Sequence, residues 1–206
     1  MFISQRGVSP ILGKEHIVED RLKRAAGLFL RHSSMAARVG KVVAGDCAGE
    51  YRLYGAYDSM EAMAKTTTSV QKDPSYHTFA EERHANPAGH QVVGPDVFRL
   101  IAGLNDPENM VFMQRVYALN PDGREIGLAL FPDVEKLFAG SGIVPSLTVP
   151  VFNSDMNMMT VMYAGKDLIH LGKSIDEIGT SQAFRDIAKK VSEGGTLIKS
   201  RVVVTI

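Results

Sequence analysis

Tyr51-Arg52-Leu53-Tyr54-Gly55-Ala56-Tyr57, followed by a helical run from Met60 to Phe79, is the stretch that decides the fold, because its pattern returns as Met156 to Met162 and Gly165 to Phe184. A lag of 105 residues carries Phe79 onto Phe184, Met63 onto Leu168, Val70 onto Ile175, Val92 onto Leu197 and Val97 onto Val202. A lag sustained through a strand, two helical stretches and a last strand marks an internal repeat. The expected organisation is two units, residues 1–104 and 105–206, each long enough to bury a core of its own.

Upstream of that stretch, Met1 to Ser9 alternates apolar and polar residues and stops at Pro10, as a strand does before a turn. A helix is expected from Glu15 to about Ala37, with Val18, Leu22, Ala25 and Phe29 on one face. Val39 to Asp46 and Glu50 to Asp58 read as strands joined at Ala48-Gly49. Asp73-Pro74 restarts a helix, aspartate as cap and proline at the first position, with Tyr76, Phe79, Ala80 and the stem of Arg83 as its apolar stripe. His90 to Ala102 completes a strand-helix-strand-strand-helix-strand order, the split ferredoxin-like unit.

After a polar connector, Asn105 to Asn109, the order begins again and Gln5-Arg6 recurs as Gln114-Arg115. Pro132 is expected to cut the second long helix, because proline cannot donate to the preceding turn. In Met156 to Tyr163 both alternating sets carry large apolar groups, so both faces of the sheet need cover. The predicted fold is α+β: two tandem ferredoxin-like βαββαβ units whose antiparallel sheets pack face to face as an intramolecular α/β barrel. A mostly apolar cavity is expected between helices and sheet.

Three segments carry a family resemblance: Tyr57-Asp58-Ser59-Met60-Glu61-Ala62, then Asp73-Pro74-Ser75-Tyr76, then Phe79-Ala80-Glu81-Glu82. An aromatic, a short cap, a helix and Asp-Pro-x-aromatic at that distance resemble the middle of the dimeric α/β-barrel superfamily, with its antibiotic-biosynthesis monooxygenase-like and NIPSNAP-like families. The resemblance covers both halves by architecture and about Glu50 to Glu82 by motif. It implies cofactor-free oxygenation, haem handling or isomerisation as candidate activities, and among haem-handling relatives a helical histidine facing a pocket, here His77.

Composition removes several classes. Lys plus Arg and Asp plus Glu both number 23, which leaves no net field for nucleic acid or an anionic membrane. Nowhere do ~18 apolar residues run uninterrupted. Cys47 is the single cysteine, so no internal disulfide forms, and with no secretory pattern at the N-terminus a cytoplasmic protein is expected. Paired-cysteine metal motifs, phosphate-cradling glycine loops and nucleophile elbows are absent, so no metal is assigned.

The candidate catalytic residues are His170, Asp167 and His32. Asp167 and His170 are three apart on a helix, a spacing that permits an acid–imidazole couple or a solvated pair. His32 extends the Val18 to Phe29 stripe, as a base in a pocket or as a helix-end histidine. His77, Tyr54, Met158 and Tyr163 are the candidate ligand-binding residues: the tyrosines to orient a phenolic substrate, the methionine strand as a soft wall for a flat apolar molecule. The expected partner is a small apolar or aromatic molecule, with no resident cofactor or, alternatively, haem, and with a homodimer allowed. The functional expectation is small-molecule binding with cofactor-independent oxidation of an aromatic or polyketide-like substrate; haem binding and a non-catalytic assembly module are the competing readings.

Overall fold

Eight strands alternate with six helices in the computed structural model, which describes residues 1–90, 92–104 and 108–206. The first half runs β1 (Phe2–Val8), α1 (Glu15–Arg31), β2 (Ala36–Gly45), β3 (Tyr51–Tyr57), α2 (Met60–Lys72), α3 (Pro74–Ala85) and β4 (Val93–Gly103). The second runs β5 (Val111–Leu119), α4 (Gly123–Phe138), β6 (Val144–Phe152), β7 (Met158–Gly165), α5 (Leu168–Ser174), a π-helical turn (Ile175–Gly179), α6 (Gln182–Gly194) and β8 (Gly195–Thr205). The connector Asn105-Asp106-Pro107 lies outside the described residues.

All strands are antiparallel to their neighbours, and their hydrogen-bonded order β1-β3-β2-β8-β5-β7-β6-β4 closes on itself through β4 against β1. Each half contributes four strands in ferredoxin-like order, β4-β1-β3-β2 and β8-β5-β7-β6, and two seams, β2 with β8 and β4 with β6, join them. This corrects the expectation of two sheets stacked face to face. The halves meet edge to edge, which satisfies the backbone donors and acceptors that an open sheet leaves at its margins.

The strand registers also correct the repeat spacing. Gln5 pairs with Tyr54 as Gln114 pairs with Met162, so the third strands match at a lag of 108 residues. The helix caps agree, Ser59 with Asp167 and Asp73 with Ser181. Only the last strands keep the lag of 105, since Gln5 pairs with Asp96 and Gln114 with Arg201. The sequence lag thus followed the last strand, while the segment between α3 and β4 is longer than its counterpart between α6 and β8.

Helices cover the outer face only. Val18, Ala26, Leu28 and Phe29 of α1 pack on Val8, Val39, Tyr51 and Leu53; Val134 and Phe138 of α4 and Phe184 of α6 pack on Val111, Met113 and Tyr163. Burying a Val, Leu or Phe in such a core is worth about 1.5–3 kcal/mol. The helix-to-sheet space is therefore filled, and in place of the cavity expected there the described residues leave a void of about 30 Å³ beside Met159 and Phe131.

Three helix expectations change. Helix α1 ends at Arg31 rather than Ala37, because Ser33 turns left-handed (φ 70°) and the chain from Ala36 is drawn into pairing with β3. Pro132 does not cut α4, which runs through it; Phe131, Val134 and Phe138 on its buried face hold the turn together. Helix α3 buries none of its residues, so the Tyr76 to Arg83 stripe is no core face. Polar ties from α1 hold it instead: Arg21 donates to the carbonyls of Asn86 (2.8 Å) and Glu82 (3.1 Å), and Arg24 pairs with Glu82 at 2.6 Å.

Candidate functional site

Because side chains alternate along a strand, whatever β3 and β7 do not give to the helices they give to the interior. Tyr51 and Leu53 enter the α1 core, whereas Arg52, Tyr54 and Ala56 turn inward; Tyr163 and Val161 pack under α4 and α6, whereas Met158, Thr160, Met162 and Ala164 turn inward. The same alternation around all eight strands leaves a cavity of about 560 Å³ inside the closed sheet. Its apolar wall includes Ile3, Phe98, Phe112, Val116, Met158 and Met162. Gly40 is needed here, since a Cβ would meet a methyl of Val203 at 2.5 Å and the Tyr54 ring at 3.3 Å.

The interior is not uniformly apolar. Arg52, Arg201, Tyr54 and Asp96 face it, with Asp46, Cys47, Glu50 and Lys199 alongside. Arg52 is hydrogen-bonded to Glu50, and Arg201 lies 3.4 Å from Asp46. Burial pushes the Asp96 carboxyl upward against the opposing pull of Arg52, Arg201 and Lys199. Burial also lowers Arg201, and repulsion from Arg52 adds to the effect. The Tyr54 hydroxyl is buried with no hydrogen-bond partner among the described residues, and burial pushes its phenol up to about 12. Its ring meets Phe112 edge-on at 5.5 Å.

This polarity is one-sided with respect to the two halves. By register, Arg38, Arg52 and Tyr54 correspond to Ser146, Thr160 and Met162, and Asp96 corresponds to Arg201. The cavity is therefore lopsided even though its strands are arranged alike.

Of the residues singled out from sequence, Tyr54 and Met158 line this cavity. Tyr163 does not; it stacks against Phe138 at 5.1 Å on the opposite face, buried deeply enough to raise its phenol well above its ordinary value. Asp167 and His170 form a helix cap and not an acid–imidazole couple: the Asp167 carboxylate accepts the backbone N–H of His170 at 2.7 Å, while the His170 ring reaches the Ser141 carbonyl at 2.5 Å. His32 bonds Asp73 at 2.8 Å, so it ties the end of α1 to the cap of α3. That bond, with the Ser75 N–H, holds the Asp73 carboxyl down at about 2. His77 is exposed on α3, its ring against Tyr76 at 5.9 Å.

None of the six histidines lines the cavity, so a haem placed there would find no imidazole for its iron, and the residues present do not fit that group. No cluster of three or more metal-ligating side chains occurs among the described residues, and no helix among them is long and apolar enough to cross a membrane. Sequence reading missed Arg52 and Asp96 as cavity residues. The available signal was charge at inward positions of otherwise apolar strands, which becomes visible only once the register says which positions point inward.

No protein-family model and no curated protein matches the chain. Solved structures do. A candidate monooxygenase of Fusobacterium nucleatum superposes with a TM-score of 0.68 at 12% identity, covering 99% of this chain and 91% of that one. An anthrone oxidase-like protein gives 0.64 at 10%, covering 100% and 91%. A ferredoxin-fold protein of Listeria monocytogenes related to antibiotic biosynthesis monooxygenases gives 0.52 at 9%, covering 98% and 95%. At such identities the likeness concerns the backbone alone, and by it this chain has the ferredoxin-like fold that these proteins share.

Proposed function

We propose that the protein binds a small, largely aromatic molecule inside its closed sheet and oxidises it with molecular oxygen without a cofactor. The observation that carries this reading is the interior cavity: about 560 Å³, walled by Phe98, Phe112, Met158 and Met162, with Tyr54, Asp96, Arg52 and Arg201 in the same space. A phenol or anthrone-type substrate loses a proton to Asp96, whose raised affinity for protons makes it a stronger base than an exposed carboxylate. The resulting carbanion is stabilised by the two guanidinium groups and attacks oxygen. For an anthrone, the balanced outcome is a methylene plus O₂ giving a carbonyl plus water. The bases expected from sequence, His170, Asp167 and His32, do not reach the cavity and take no part in this scheme.

The superposed proteins support the oxidative part of the reading, since their descriptions include a candidate monooxygenase and an anthrone oxidase-like protein. We also propose that the two halves, 1–104 and 105–206, are tandem copies of one ferredoxin-like unit and that a single chain thereby builds what a dimer of such units would build. The test of the activity is direct. Protein incubated anaerobically with quinol and anthrone panels, then exposed to air, is expected to consume oxygen above buffer, at least ~100-fold more slowly in Asp96→Asn. Uptake equal to buffer across the panels removes the enzymatic reading.

A further inference from the structure

Two arginines inside a closed sheet need a reason. Arg52 and Arg201 are only 7% and 8% exposed, and both line the cavity. Each is anchored at one guanidinium nitrogen from the hairpin between β2 and β3, Arg52 by Glu50 and Arg201 by Asp46 at 3.4 Å. The Nε of each is buried and has no acceptor among the described residues, and the Tyr54 hydroxyl is in the same condition. Arginine presents its donors as a rigid planar fork, so fixing one nitrogen against a rim carboxylate also fixes where the remaining N–H groups point.

Resting on the reading that the interior binds a small aromatic molecule, we infer that Arg52 and Arg201 form an anion subsite and that the ligand is an aromatic carboxylic acid. Its ring system lies along Phe98, Phe112 and Met158, and its carboxylate accepts from the terminal guanidinium N–H groups that Glu50 and Asp46 leave unused. Three features favour this over a neutral ligand. Each guanidinium spends one nitrogen on a carboxylate and keeps further N–H donors, and a ligand carboxylate has lone pairs enough to accept from both. Repulsion from Arg52 is felt at Arg201, so two like charges face one cavity and a negative group between them relieves both. The second half offers no duplicate of the site, because the positions matching Arg52 and Tyr54 are Thr160 and Met162; the ligand is thereby oriented one way round.

The test uses isosteric probes, 2-naphthoate and 2-naphthamide, titrated calorimetrically into the full-length protein. 2-Naphthoate is expected to bind at least about tenfold more tightly than the amide, the scale of a charge-assisted hydrogen bond. In Arg201→Gln that preference is expected to vanish through loss of naphthoate affinity; Arg52→Gln repeats the measurement should the first variant fold poorly. Equal affinities in the wild type overturn the inference while leaving the binding cavity standing. Binding of neither probe overturns both. A preference for naphthoate that survives in a folded Arg201→Gln or Arg52→Gln protein also sinks the assignment.

Discussion

Tyr54 is the residue at which burial has its clearest chemical consequence. Its hydroxyl has no partner among the described residues, and its phenol is pushed up to about 12 because ionising it inside the sheet would strand a charge away from water. A folded-state value above the unfolded one means that this contribution to stability is fully present below about pH 10 and is lost as pH rises toward 12. The loss amounts to roughly 3 kcal/mol on the linkage relation. Tyr54→Phe is expected to unfold at equal or higher urea concentration at neutral pH, by up to about 1 kcal/mol, and to show a shallower decline between pH 10 and 12. Urea unfolding at the two pH values measures it. A decline as steep as the wild type's would assign the alkaline limb to other groups, such as Tyr163 in the helix-facing core, whose phenol is also raised by burial.

At the scale of elements, α4 and α3 show opposite ways for a helix to persist. Helix α4 carries Pro132 in its interior and so lacks one rung of its hydrogen-bond ladder, yet Phe131, Val134 and Phe138 bury enough surface to keep it continuous. Pro132→Ala restores the donor and is expected to raise stability by about 1–3 kcal/mol, read as a higher thermal midpoint. An unchanged or lower midpoint would mean that the proline is accommodated without loss, its preceding turn already shaped to it. Helix α3 has no buried residue at all and depends on Arg21, Arg24 and the His32–Asp73 bond at its two ends. Its sequence stripe was a correct periodicity attached to the wrong conclusion. Periodicity shows which residues share a face, but only the arrangement of neighbouring elements decides whether that face is covered.

For the whole molecule, closure of the sheet is the governing fact. With β2 paired to β8 and β4 to β6, every strand has a neighbour on each side. Residues 1–104 expressed alone would expose β2 and β4 as open edges together with the charged interior. That fragment is expected to self-associate or aggregate, and mixing it with 105–206 is expected to regenerate a 22.4 kDa complex in analytical ultracentrifugation. A stable, soluble monomer of either fragment would contradict the dependence of each half on the other.

How much of this was legible in advance follows from the range of the interactions concerned. The cap at Asp73 with Pro74 after it, and the strand pattern of Met1 to Ser9, are local in their causes, and the elements they delimit stand where the residues imply. The inward pair Tyr54 and Met158 was within reach because strand alternation divides residues into two sets. Which set faces helix and which faces cavity was not, and Tyr163 fell on the other side for that reason. The sequence by itself determined the order of elements, the ferredoxin-like strand-helix rhythm and the need of both sheet faces for cover, since each depends on residues a few positions apart. Only the tertiary structure decided that the halves join at their edges, that the cavity lies inside the sheet, and that Arg52, Asp96 and Arg201 meet there, because those facts depend on strand pairings between residues as far apart as Gly40 and Thr205, which no local pattern encodes.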